Sequence, residues 1–381
     1  MATNSSGPPL SGVRVVELGT FMSVPVAGMI LADLGAEVIK VEPPTGDRMR
    51  RFGRPATRDS ALFVNSNRGK ASVVLDLKLA PDREEYLHLL AGADVLLCNM
   101  RPGVADRLGI GDDVASEVNP RLIRLWVTGF GADGPSADEP VYDTVMQARS
   151  GLTQAISRGE DVMVMPGYPM DKVTAFFAVQ SVLAALYERE RRGHGERIDL
   201  AMLDVVAYAN FPDLFASRTF LEHQPEDPRN RAAINVRPVP AKDGWFVLTP
   251  VTAANTREAC AAVGAPDLAD ELLAISDQAE FLAVMVERIA EHTRTTPLAT
   301  VLARFRAHGV PAAPCLGMDE HLDDAQVVHN DIYRIREVPG FGPVRSVRYP
   351  AVSKRWGVLD GGPSPELGAH NEHFDAGAPA E

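Results

Sequence analysis

Few residues of this chain combine a reactive type with a telling position. Asp171 ends the segment Pro166-Gly-Tyr-Pro-Met-Asp171, just before a long run of apolar residues at helical spacing. The first backbone N–H groups of a helix have no intrahelical partners and point outward at such a place. An aspartate there serves most simply as an N-cap, worth about 1 kcal/mol, and position alone leaves open whether it does more. A second polar pair, Tyr142-Asp143, follows Pro140-Val141. The nine histidines are scattered, and no HxxxH or HxH spacing gathers carboxylates around it, so no metal is expected. Cys98, Cys260 and Cys315 are far apart and show neither CxxC spacing nor an even, disulfide-like set, which fits a reducing compartment, the cytoplasm. Cys98, in an apolar run without a basic neighbour, reads as a small core residue.

The elements that must position these groups follow from periodicity. Val13–Leu18 reads as a strand and Pro25–Leu34 as a helix capped by Gly35. Further strands are expected over Val38–Val41, Ser72–Leu75, Asp94–Cys98 and Leu122–Val127, with a helix at Ala80–Ala91. Strands apolar on both faces and alternating with helices argue for an α/β architecture around a parallel sheet, with ligands at the loops after the strands. A strong helix runs from Val173 to Arg192, with Val173, Phe176, Phe177, Val182, Leu183 and Leu186 expected inward and Gly193 ending it. Met202 is expected in the strand that follows. Periodicity fades from Phe211 to Pro240, then a strand at Gly244–Leu248 and several helices suggest a small α+β domain. The expected organisation is a large α/β domain over 9–210, a linker at 211–235, a small α+β domain at 236–318 and a C-terminal segment, 319–381, returning to the large domain.

Composition narrows the class. With 381 residues, 45% hydrophobic and 23% charged, the chain reads as an ordinary globular protein with a sizeable core. Its 38 basic and 51 acidic residues leave a net charge of −13, which disfavours nucleic acid and anionic membrane as partners. Met1–Leu10 has neither the basic nor the apolar region of a signal peptide, and no run of about eighteen apolar residues is present, so no membrane span is expected.

Eight stretches, taken together and in order, resemble the family III CoA-transferases, which include formyl-CoA transferase, carnitine CoA-transferase and the related α-methylacyl-CoA racemases. They are Leu10-Ser-Gly-Val-Arg-Val-Val-Glu-Leu18, Leu31-Ala-Asp-Leu-Gly-Ala-Glu-Val-Ile-Lys-Val-Glu-Pro43, Asn67 to Lys78 and Arg101-Pro-Gly-Val-Ala-Asp-Arg-Leu-Gly109. Asn119-Pro-Arg-Leu-Ile123, Thr128-Gly-Phe-Gly131, Gly193-His-Gly-Glu-Arg-Ile-Asp199 and Ala307-His-Gly-Val-Pro-Ala-Ala-Pro314 complete the set.

The resemblance implies a Rossmann-like large domain, an interlocked homodimer and a catalytic carboxylate at Asp171. It implies transfer of CoA between an acyl-CoA and a carboxylic acid through an aspartyl-CoA thioester, with no tightly bound cofactor and with coenzyme A entering as part of the substrate. Tyr142 stands where the racemases carry the histidine of Gly-His-Asp, which favours the transferase branch. With a pKa of about 10 a tyrosine is a poor base for an α-proton and a serviceable hydrogen-bond donor. CoA contacts are implied at Leu75, Leu77, Asn99, Met100, Val104 and Arg107, the last able to fork onto phosphate or to stand as a solvated surface residue. Met22 stands in place of a glutamine and Pro43 in place of an arginine of formyl-CoA transferase, which argues against a small polar acid. That enzyme's glycine-rich loop has no clear counterpart in Leu248–Asn255. Met202 either lines the acyl region or packs as core, and Met22, Met100, Met146 and Met170 suggest an adaptable apolar acyl pocket. Two other functions stay open: racemisation with Asp143 as a second base, and non-catalytic CoA binding.

Overall fold

The structure is a computed structural model that describes residues 7–53, 59–157, 161–214, 219, 221, 236–338 and 340–374; most of the expected linker 211–235 lies outside them. The chain divides into two compact units, one of Met1–Thr153, Val164–Ala209 and Val328–Glu381, the other of Gln154–Met163 and Asn210–Val327.

Along the chain run β1 (Arg14–Leu18), α1 (Ser23–Asp33), β2 (Glu37–Glu42), α2 (Ala61–Ser66), β3 (Lys70–Val74), α3 (Ala80–Ala91), β4 (Val95–Cys98), α4 (Val104–Arg107), α5 (Asp112–Val118) and β5 (Ile123–Thr128). After these come α6 (Asp143–Arg149), α7 (Leu152–Ile156), α8 (Pro169–Arg192), β6 (Arg197–Ala201) and α9 (Met202–Leu214). The six strands form one parallel sheet in the order β3-β2-β1-β4-β5-β6. Val16 pairs with Ile39 on one side and Leu96 on the other, and all four residues of β4 are buried. This is the doubly wound order, and chain direction across the sheet reverses between β1 and β4, so a crevice opens at their carboxyl ends.

Charged residues inside these strands are paired rather than solvated. Lys40 Nζ lies 2.9 Å from Glu17 and 2.9 Å from Asp47, and Lys70 Nζ 2.7 Å from the other oxygen of Glu17, all four side chains being essentially inaccessible. Burial works against the charge of Lys40, but Glu17, Asp47 and Glu42 outweigh it and hold that ammonium above its ordinary range. For Lys70 burial dominates, with the neighbouring Lys40 charge acting the same way and Glu17 and Asp47 offsetting it only in part, and lowers it to about 8. Each ammonium also holds a backbone carbonyl around α1: Lys40 donates to Gly19 O at 2.7 Å and Lys70 to Pro25 O at 2.7 Å. Gly28 of α1 lies directly over Glu17, and a Cβ there would stand 1.9 Å from its carboxylate.

α1 packs on α8, whose buried stripe is Thr174, Ala175, Ala178, Val179, Val182 and Ala185. Small residues let the two backbones approach, and that is where the expected inward face needs correction: Phe176 and Leu183 are exposed. Gly193, at φ 82°, ends α8 in the left-handed conformation that favours glycine. Met202 begins α9 instead of lying in a strand, because β6 ends one residue earlier. Phe211–Leu214 continue that helix and are not linker.

The chain continues through β7 (Val239–Ala241), β8 (Gly244–Leu248), α10 (Ala253–Ala262), α11 (Leu268–Leu273), α12 (Gln278–Thr293), α13 (Leu298–Ala307) and β9 (Ala312–Pro314). The second unit is built on the three antiparallel strands β7-β8-β9, with Phe246, Met285, Ile289 and Phe305 in its core. Leu248–Asn255 is the end of β8, a short loop and the Thr252-capped start of α10. Met318–Val338 holds α14 (Met318–Leu322), α15 (Ala325–His329) and β10 (Tyr333–Val338), the last paired with β11 (Gly342–Val347). The C-terminal segment meets the open edge of β3: Asn371 exchanges two 3.0 Å bonds with the backbone of Val74, and His370 N donates to Ser72 O at 3.1 Å. An edge that would otherwise present unpaired amides is thereby covered.

Candidate active site

Three loops of the first unit converge on Asp171. The first follows β1 and is Gly19–Met22. Asn99, just past β4, clamps it by accepting from Thr20 N at 3.0 Å and donating to Thr20 O at 2.9 Å, which joins the two halves of the crevice. Within this loop Phe21 holds φ at 65°, a left-handed conformation that a non-glycine residue adopts at a cost on the order of 1–3 kcal/mol. Ser23, buried, then opens α1.

The second loop leads into α6. Tyr142 precedes this helix, and its half-exposed ring meets Phe21 edge to face at 5.2 Å between centroids. Asp143, the first residue of α6, is 1% exposed. One of its oxygens accepts from Met170 N at 2.6 Å and Asp171 N at 3.0 Å, and the other from Gln147 Nε2 at 2.6 Å. Gln147 also brackets the third loop: Met165 N donates to its Oε1 at 2.8 Å and its Nε2 donates to Met165 O at 3.2 Å.

Asp171 therefore lies in the first turn of α8 but is not its N-cap. Tyr168 occupies the cap position without a side-chain bond, and Asp143 satisfies the amides from outside. This leaves the Asp171 carboxylate free to turn towards the start of α1, where the hydroxyl and the backbone N–H of Ser23 favour its charged form. Burial is the main reason its acid strength changes, and the nearby Asp143 charge adds to it. The Ser23 bonds oppose both, and the balance pushes Asp171 up to about 7. A carboxylate poised near neutrality beside two hydrogen-bond donors, at the mouth of a switch-point crevice, can act as nucleophile or proton acceptor. Asp143 faces a different demand, since its two oxygens hold amide donors and α8 in place.

The other expected site residues spread around this centre. Leu75 and Leu77 are buried in the cluster of Tyr86, Leu89 and Leu90. Met100 packs partly buried on the same cluster, its N–H donating to Cys98 Sγ at 3.4 Å. Val104 opens α4 and Arg107, exposed, ends it. A cleft of about 160 Å³ lies beside this helix, lined among others by Met100, Arg101, Gly103, Trp126 and Arg197. Met22, Met146, Met170 and Met202 are buried, and the exposed apolar residues before Asp171 are Val162, Met163, Val164 and Met165. Burial pushes the Cys98 thiol up to about 12, in keeping with a core role. Among the described residues no group of histidine, cysteine and carboxylates gathers as a metal site, and no helix is long and apolar enough to cross a membrane.

Sequence reasoning missed Ser23, Gln147 and the backbone of Phe21. A hydroxyl at a helix start and an Asp-x-x-x-Gln spacing are legible but common, and a positive φ in a phenylalanine has no sequence signal.

The model of CoA-transferase family III matches residues 10–371. The chain is 30% identical to the probable fatty acyl-CoA transferase of Mycobacterium tuberculosis over 98% of this chain and 99% of that one. It is 31% identical to the succinate–glutarate CoA-transferase of Agrobacterium fabrum over 95% and 94%, and 34% identical to the acetyl-CoA:oxalate CoA-transferase of Acetobacter aceti over 82% of each. Among solved structures, an orthorhombic crystal form of the Mycobacterium tuberculosis protein superposes with a TM-score of 0.83 at 29% identity, covering 97% of this chain and 99% of that one. A CaiB/BaiF family protein from Brucella suis superposes with a TM-score of 0.84 at 27% identity over 97% and 99%.

Proposed function

The chain belongs to CoA-transferase family III, and from that premise we propose that it moves CoA from an acyl-CoA to a carboxylic acid through covalent intermediates on Asp171. The observation that carries this reading is the setting of the Asp171 carboxylate: its backbone N–H is taken by Asp143, and the carboxylate lies near Ser23 at the start of α1, by the crevice at the carboxyl ends of β1 and β4. An oxygen of Asp171 attacks the thioester carbonyl, and the C–S bond breaks to release CoA thiolate and leave a mixed anhydride. The thiolate attacks the anhydride carbonyl on the Asp171 side, giving an aspartyl-CoA thioester and the first free carboxylate. The acceptor carboxylate attacks that thioester, and the expelled thiolate then takes the acceptor acyl group, which regenerates Asp171. Charge that develops on the Asp171 side lies next to the N–H groups at the start of α1, and donors aimed there stabilise it.

CoA lies along the ends of β3 and β4 in this reading, with Asn99, Met100, Val104 and Arg107 near its phosphates and Leu75 and Leu77 beneath. The protein works as a cytoplasmic homodimer. α-Proton chemistry would require a second base, and Asp143, the candidate, has both oxygens engaged by the Met170 and Asp171 amides and by Gln147.

The test is mass spectrometry of the Asp171 peptide after incubation with a panel of acyl-CoAs and hydroxylamine. A hydroxamate at Asp171 is expected. No modification by any acyl-CoA that binds, together with solvent deuterium entering the acyl α-carbon, would sink the transferase reading.

A further inference from the structure

Resting on that reading, we propose that Phe21, with Tyr142, forms the wall against which the substrate's acyl chain lies, and that it selects apolar monocarboxylic acids over dicarboxylic ones. Position comes first. Phe21 is two residues from Ser23, whose hydroxyl and N–H favour the charged form of Asp171, and Tyr142 directly precedes Asp143, which accepts from the Asp171 amide. The two rings touch edge to face at 5.2 Å between centroids, so they make one continuous aromatic surface, on the two segments that lead to Ser23 and Asp143, for the carbon chain of an acyl group attached at Asp171 to lie against.

Chemistry points the same way. The Tyr142 ring is 52% exposed, and an aromatic pair left open beside a reactive group is surface kept for an apolar ligand. The segments that meet at Asp171, residues 20–23, 142–146 and 165–171, contain no lysine or arginine and two aspartates, and the next residue, Lys172, is exposed. A second carboxylate on the substrate would find no cation in these loops and would face the charge of Asp143.

The backbone supplies the third argument. Phe21 holds φ at 65°, where glycine is at ease and phenylalanine is not, and strain kept beside a reactive group signals that the ring's direction matters. A glycine at this position would relax the loop and delete the wall.

Equilibrium binding of acetyl-CoA, succinyl-CoA and hexanoyl-CoA to the full-length protein tests this. The wild type should bind hexanoyl-CoA at least about tenfold more tightly than acetyl-CoA, since each buried methylene alone is worth up to about fourfold, and should not prefer succinyl-CoA to acetyl-CoA. Phe21→Gly should shrink the hexanoyl preference to less than about threefold with a melting temperature equal to or above that of wild type, and Phe21→Asn, also tolerant of positive φ, should do the same. An unchanged preference in both variants, a wild type that favours succinyl-CoA, or a Phe21→Gly protein that melts earlier would overturn the proposal. Trapping at Asp171 in the same samples separates the two readings. Binding preference without trapping leaves the wall and removes the transferase mechanism, while trapping with unselective binding does the reverse.

Discussion

Replacing Asp171 with asparagine should make the protein more stable, and by an amount that depends on pH. In the unfolded chain this carboxyl titrates at its ordinary 3.8, whereas in the fold burial and Asp143 push it up to about 7. Below pH ~4 both states hold the proton and folding costs nothing extra. Between the two values the unfolded chain has lost the proton and the fold keeps it, so the cost of folding grows with pH and is complete above ~7. About three pKa units at ~1.4 kcal/mol each set a ceiling of about 4 kcal/mol. The carboxylate is only half-buried and solvent relieves part of the cost, so about 2 kcal/mol is the working figure. The asparagine amide has no ionisation, keeps an oxygen for the Ser23 donors and removes the cost. Urea unfolding at pH 8 should show Asp171→Asn more stable by about 2 kcal/mol, with a smaller gain at pH 5 and none below pH ~4. A gain of equal size at both pH values, or a loss at pH 8, would refute the electrostatic account of the site.

The same titration governs activity. Turnover should rise with pH through about 7, as Asp171 loses its proton, and Asp143→Asn should move the midpoint to lower pH by removing one of the two causes that raise it; a midpoint unmoved in a pH–rate profile would argue against the coupling. Lys40→Ala should cost about 3–5 kcal/mol, because Asp47 would stay buried without a cation and Glu17 would keep Lys70 alone, and urea unfolding that shows less than about 1 kcal/mol would show that water reaches them.

Much of this protein is legible in the sequence because it is local. Apolar runs of four to six residues set β1 to β5 to within two residues of their ends, and Ala80–Ala91 is helical over the stretch its periodicity marks. Asp171 can be singled out because eight stretches occur in a family's order. Tertiary structure decided what Asp171 is. Asp143, twenty-eight residues earlier, takes over the amides at the start of α8, so the aspartate that local rules read as a cap is released towards Ser23. Met22, Met146 and Met170 are buried while Met100 is only partly so, and Phe176 and Leu183, apolar and at helical spacing, face outward because the buried stripe of α8 is the one of Thr174, Ala175, Ala178, Val179, Val182 and Ala185. The reason is common to all three cases. Periodicity reports which residues are apolar and how often they recur, whereas a carboxylate's partners, a side chain's exposure and a pKa depend on groups brought close by chain segments far apart in sequence.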